Sequence, residues 1–337
     1  MKRYTYMGGA LLLAAALVLP VFSPDPTVLG VVVFTLFFAA VATGWNILAS
    51  AGYVSLGHGA FFGIGAYTQA LLCLHLHVPG GALPFALLPL AGVLASAFAF
   101  PLGWMALRTR RQTFVVITIA LFFILQLMAY NLRSLTNGST GLSLPLPPWQ
   151  GGFYTVPFYY VSLAFLLLAL LTAVWVRASR YGLWLLAIRD DEERAAGLGV
   201  RTGACKLSAF VLSAWFAGVG GGISAYFVGS VFPPFAFAPT VNVAFTLATF
   251  LGGVNTLWGP LMGSVMLVPL QQYLVLSFGD NGFYQMIYGA LFLIVLEWMP
   301  EGIVPFFRKW RRRSVRGAQQ KGRHPPLRSR GKGSTAS

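Results

Sequence analysis

Apolar residues run through this chain in long unbroken stretches, not in the alternation of strands or the one-sided stripes of surface helices. A helix that crosses a bilayer needs roughly 20 mostly apolar residues, and such stretches follow one another almost to the end. The first, Met7 to Leu19, comes after Lys2 and Arg3 and resembles a signal peptide. Pro20-Val21-Phe22-Ser23-Pro24 follows it instead of a small-x-small cleavage site, so it reads as an uncleaved span over about 5–22. Nine more runs predict spans at about 27–49, 55–77, 82–107, 112–130, 155–177, 207–229, 240–256, 258–278 and 283–300. Three are rich in glycine: 55–77 and the pair 240–256 and 258–278. These suit broken or re-entrant helices covered by neighbours. If 240–278 is a re-entrant hairpin, eight full spans remain. The expected fold is an all-α polytopic membrane protein with about 8–10 transmembrane helices.

The polar segments between the runs set an orientation. Arg108, Arg110, Arg111, Arg177, Arg180, Arg189, Arg194, Arg201 and Lys206 fall on the same side as Lys2 and Arg3, while the opposite segments hold only Arg133. By the positive-inside rule that side is cytoplasmic, and both termini lie there. Composition agrees with a lipid-facing surface: 57% of the 337 residues are hydrophobic, 9% are charged, and mean hydropathy is +0.73. Soluble domains carry about 25% charged residues.

The net charge of +15 could suggest nucleic-acid binding, but its distribution argues against that. Residues 308–332 hold 11 Lys and Arg and no acid, leaving 12 basic against 8 acidic residues elsewhere. The expected organisation is a transmembrane body over 1–307 and a disordered basic tail over 308–337, placed near anionic headgroups. Cys73 and Cys205 show no metal or disulfide spacing and read as unpaired thiols. No metal or cofactor is expected.

Four segments carry information beyond hydropathy. Asn46 to Tyr67 holds Ser55, Gly57, His58, Gly59, Gly63 and Gly65, a spacing of small residues that lets helices approach closely or line a path. Within 178–206, Asp190, Asp191, Glu192 and Glu193 supply half of the chain's eight acids. There Ala187 to Leu198 reads as one short helix ended by Gly197 and Gly199, either a solvated loop or a docking element for a cytoplasmic partner. Gly218-Val219-Gly220-Gly221-Gly222 weakens a helix, for close packing or for gating. Gly252-Gly253-Val254-Asn255-Thr256-Leu257-Trp258-Gly259-Pro260 reads as a turn between two short helices.

Ordered together, these blocks resemble the branched-chain amino-acid permease family of ABC importers, LivM type. The matching stretches are Ser55 to Tyr67, Leu107 to Arg110, Thr136 to Leu142, Ala187 to Leu207 and Gly252 to Pro260. The resemblance covers the chain up to about residue 310. Arg111-Gln112-Thr113-Phe114 departs from the family's usual glycine and aromatic, and the acid usual in the middle of the fifth span is either replaced by Gln126 or absent. These departures bear on the solute carried.

The resemblance implies an ATP-driven importer of branched-chain amino acids or small polar solutes such as urea or amides. It implies a second homologous permease, ATPase subunits, and a periplasmic or extracellular substrate-binding protein. The residues implied to couple to the ATPase are Ala187, Arg189, Asp191, Glu192, Glu193, Ala196 and Gly199. Those implied along the translocation path are Ser55, Gly57, His58, Gly63, Gly65, Gly252 and Gly259. No residue is expected to be catalytic. An ion-coupled transporter or channel is the alternative. Coupling commonly uses intramembrane ionisable groups, and of the eight acids only Glu297 lies inside a predicted span.

Overall fold

The computed structural model describes residues 25–149 and 153–278, with a few positions beyond them. The expected span over 5–22, most of that over 283–300, and the basic tail lie outside the described residues. The rest is a bundle of helices. Helix α1, Pro26–Ala49, starts where the Asp25 carboxylate accepts from the Thr27 N–H at 2.8 Å, with proline at the first helical position. Then follow α2 His58–His75, α3 Leu83–Ala106, α4 Arg111–Asn131 and the single turn α5 Arg133–Thr136. After these come α6 Thr155–Ala178, α7 Arg180–Asp190, α8 Glu192–Gly197 and α9 Thr202–Val228. The chain closes with α10 Pro233–Ala236, α11 Pro239–Gly252 and α12 Gly259–Phe278. The two-residue strands β1, Leu142–Ser143, and β2, Ser230–Val231, pair antiparallel at one end.

Seven helical stretches among the described residues are long and apolar enough to cross a membrane, α10 and α11 counting as one. The eighth expected crossing is α2, which begins at His58, because Ser55 to Gly57 are not helical. The pair expected at 240–256 and 258–278 forms α11 and α12, joined by the turn at 253–258.

The longest helix, α9, stands at the centre and packs on α1, α2 and α3. Its glycine run does not interrupt it. A Cβ on Gly221 would collide with the Phe62 carbonyl, and one on Gly218 would lie 2.5 Å from the Ala95 Cβ. Close packing therefore accounts for these glycines. At the periphery, α4 buries only Phe114, Thr118, Phe122 and Ala129, which lie along a single stripe.

The single helix expected over Ala187–Leu198 is two. At Asp191 the backbone is extended (φ −159°, ψ 109°), which ends α7 and starts α8. The cause is local. The Asp191 carboxylate accepts from the Arg194 N–H at 3.0 Å, and an N-capping side chain needs an extended backbone. Gly199 ends the segment as expected, at φ +86°, with Val200 N–H donating to the Ala195 carbonyl at 3.1 Å.

Candidate functional site: two broken helices and an external segment

Between α1 and α2 the chain runs in irregular backbone from Ala51 to Gly57, and its last part is buried. Irregular backbone at membrane depth requires protein partners for every polar group. Here three helices supply partners at Ser55, Leu56 and Gly59. Trp45 Nε1 donates to the Ser55 carbonyl at 2.8 Å. Thr118 Oγ1, about 10 Å along α4 from its start, accepts from the Leu56 N–H at 3.3 Å. Asn242 of α11 donates from Nδ2 to the Leu56 carbonyl, and its Oδ1 accepts from the Gly59 N–H at 2.9 Å. Ser55 Oγ accepts from the Gly57 N–H at 3.3 Å.

His58, the first residue of α2, is buried. Its Nε2 lies 2.7 Å from Ser213 Oγ. Ser213 donates its own proton to the Phe210 carbonyl at 2.7 Å. The His58 proton therefore sits on Nε2, and Nδ1 is left as an acceptor with no partner among the described residues. Phe61 and Phe210 face the ring edge-on, at centroid distances of 5.7 Å.

The second break lies between α10 and α11. Gln126 of α4 donates to the Phe237 carbonyl at 2.9 Å. The Phe237 ring fills the space at Gly63, where a Cβ would meet it at 2.5 Å. The neighbouring Gly65 lies against the backbone of Gly218. An apolar recess of about 60 Å³ beside this break is lined by Phe62, Ala66, Val228, Phe232 and Phe235, with Ser224 among them.

The expected path residues therefore divide. Ser55, Gly57 and His58 lie at the first break, Gly63 lies against Phe237 at the second, and Gly65 packs on Gly218 of α9. Gly252 and Gly259 lie elsewhere, at the α11–α12 turn, where their backbones touch. Asn46 holds that turn, donating to the Thr256 carbonyl at 3.0 Å and accepting from the Asn255 N–H at 2.9 Å.

The external segment α7–α8 has an anchored face and an open one. Ile188 and Ala195 are buried, and Ala187, Arg189 and Asp191 are half-buried. Glu193, Ala196, Gly197 and Gly199 are exposed, and Leu198 is 85% exposed. Arg189 pairs with Asp190 at 3.0 Å, and Asp191 with Arg194 at 2.9 Å.

Glu192 turns inward, unlike Glu193. Its Oε1 accepts from Lys206 Nζ at 2.5 Å and its Oε2 from Tyr53 Oη at 2.8 Å. Lys206, only 5% exposed, also donates to Tyr53 Oη and to the Leu107 carbonyl, each at 3.1 Å. Arg111 Nη2 donates to the Ile188 carbonyl at 2.6 Å and lies 5.7 Å from the Tyr53 ring centroid. Burial by itself would raise the Glu192 pKa. The hydrogen bonds from Lys206 and Tyr53 and the charges of Lys206 and Arg111 outweigh it, and the carboxylate sits below its usual range.

Sequence reasoning did not single out Asn242, Thr118, Tyr53 or Lys206 as site residues. A lone asparagine in the apolar run of α11 was the available signal for Asn242. Nothing in the sequence pairs Tyr53 with Glu192, 139 positions away.

The profile of the family described as branched-chain amino acid transport system / permease component matches residues 27–296. The chain is 30% identical over 330 residues to the high-affinity branched-chain amino acid transport system permease protein LivM of Escherichia coli K12, covering 88% of this chain and 75% of that protein. LivM of Salmonella typhimurium is 30% identical over 81% of this chain and 69% of its own length. LivH of Escherichia coli K12 is 27% identical over 79% of this chain and 91% of its own. No solved structure matches. The matched residues include both breaks and the external segment, and the chain thus belongs to the branched-chain amino acid transport permeases, LivM type.

Proposed function

We propose that this chain is the membrane-spanning permease subunit of an ATP-driven importer in the inner membrane, working beside a second homologous permease. ATPase subunits dock on α7–α8, and a periplasmic or extracellular substrate-binding protein delivers the solute at the opposite end. The solute is a branched-chain amino acid or a related small polar molecule such as urea or an amide. Both termini and α7–α8 are cytoplasmic, as the Lys and Arg distribution requires. The chain itself does no chemistry: ATP binding closes the ATPase pair, the docked segments move with it, and the path alternates its access.

One observation carries this reading. The short helix α8 offers small and apolar surface, Ala196, Gly197 and Leu198, beside Glu193 to the outside, while its other face is fastened to the bundle. A solvated loop has no need of such an anchor. The apolar recess at Phe62, Phe232 and Phe235 suits an aliphatic side chain on its way through. The His58 and Asn242 region suits the path because a helix broken among spans brings polar side chains there.

The test is Glu193→Lys combined with Ala196→Arg in the assembled transporter. The variant should insert normally but copurify poorly with the ATPase, and substrate-stimulated ATP hydrolysis should disappear in vesicles. Normal assembly and uptake by this variant would sink the docking role.

A further inference from the structure

The geometry points to Glu192 as the residue that carries displacement of the docking segment into the broken helix, through Tyr53. This rests on the reading of α7–α8 as the ATPase-docking segment. Glu192 is a positioning residue: it touches neither solute nor nucleotide.

The argument begins with how Glu192 divides its carboxylate. One oxygen holds the Lys206 ammonium, and the other accepts from Tyr53 Oη. Lys206 is fixed in turn to α9, on which it sits, and to the Leu107 carbonyl at the end of α3. The first residue of α8 is thereby tied to three parts of the bundle at once. Tyr53 is 2% exposed and stands in the irregular segment that runs straight into Ser55, Gly57 and the start of α2. That stretch is short, and within it the Ser55 carbonyl is held by Trp45 and the Leu56 N–H and carbonyl by Thr118 and Asn242. It therefore has little slack in which to absorb a pull.

Electrostatics stiffens the tie. Glu192 is the one carboxylate paired with Lys206 among the described residues. Withdrawing it would leave a buried ammonium with neutral partners only, which is strongly unfavourable. When α8 is displaced, Lys206 and Tyr53 follow more readily than the pair separates. The neighbouring bond from Arg111 to the Ile188 carbonyl holds the end of α7 to the start of α4, so the break at Asp191 is fastened on both sides. Contiguity alone does not demonstrate coupling, so the test must separate transmission from simple anchoring.

The experiment uses the complete transporter in proteoliposomes, with solute uptake measured per ATP hydrolysed. Glu192→Gln keeps the shape and one acceptor. Tyr53→Phe removes only the hydroxyl. Both should assemble with the ATPase and hydrolyse ATP. Uptake per ATP should fall at least tenfold in Glu192→Gln and several-fold in Tyr53→Phe. The double variant should be no worse than Glu192→Gln alone, because both break the same link. Parental coupling in Glu192→Gln would overturn the proposal. So would losses that multiply in the double variant, or loss of ATPase copurification in Glu192→Gln. If Glu192→Gln does not accumulate in the membrane, Tyr53→Phe decides: reduced coupling supports the link and parental coupling overturns it. Failure of the docking reading shows separately, as normal copurification of an Ala196→Arg variant.

Discussion

The chain breaks its helices in two kinds of place, and the two are held together differently. At Ser55–Gly57 the break is buried among spans, and neutral side chains from α1, α4 and α11 take up the freed backbone groups. At Asp191 the break lies outside the spans, and charges hold it: an aspartate cap, two surface ion pairs and the Glu192–Lys206 pair. The reason is solvent. Water can complete whatever the Asp191 break leaves unpaired, so partial pairing costs little there. At Gly57 an unpaired N–H or carbonyl would cost the full desolvation penalty, so nearly every group has a named partner. The glycines follow the same division. Gly57, Gly65 and Gly221 have backbone packed against them, whereas Gly197, Gly199 and Gly203 have nothing within 4 Å of a notional Cβ.

The largest effect that could break this comparison comes from filling a buried glycine. Gly65→Leu would drive a side chain into the Gly218 backbone. Inserted protein should largely disappear from membranes, since overpacking a tight core costs about 1–3 kcal/mol and occasionally more. Gly203→Leu should accumulate like the parent. Equal yields of the two variants, measured by quantitative immunoblot, would erase the distinction.

Asn242→Leu comes next. It leaves the Leu56 carbonyl and the Gly59 N–H buried without partners. At about 1–3 kcal/mol for each orphaned group, thermal unfolding in detergent should shift down by several degrees. An unchanged transition would mean that the break does not need its lacing.

A smaller loss should follow Asp191→Ala, which removes a cap that only water-accessible backbone depends on. Its cost should be about 1 kcal/mol, read as faster proteolysis at α8 with the global transition nearly unmoved.

The smallest effect concerns pH. The Glu192 carboxylate is held below its usual range, so its stabilisation is complete above the unfolded value, about 4.3, and is lost as pH falls through the lower native value. Coupling measured at pH 6 and pH 8 should therefore agree as far as Glu192 is concerned. A change at Glu192 within that window, seen as a pH dependence that Glu192→Gln removes, would contradict the pairing.

Much of this was legible in the sequence because its causes are local. Hydropathy over a window located the spans, since burial in lipid acts on each helix separately. Turn chemistry at Gly252–Pro260 marked the α11–α12 turn, and the glycine spacing at 57–65 marked a close approach. Gly199 ended the external segment where expected. The helix expected through Ala187–Leu198 failed at Asp191, because a residue with modest helical propensity can cap as readily as it can continue, and the sequence does not say which.

Tertiary structure alone decided the rest. It placed Asn242 across the gap at Leu56 and Gly59, turned Glu192 inward and Glu193 outward, and brought Asn46 onto the turn at Asn255 and Thr256. Each of these joins residues far apart in the chain, and which pairs meet depends on how whole helices stack. Periodicity fixes that a helix has faces; only packing fixes what each face meets.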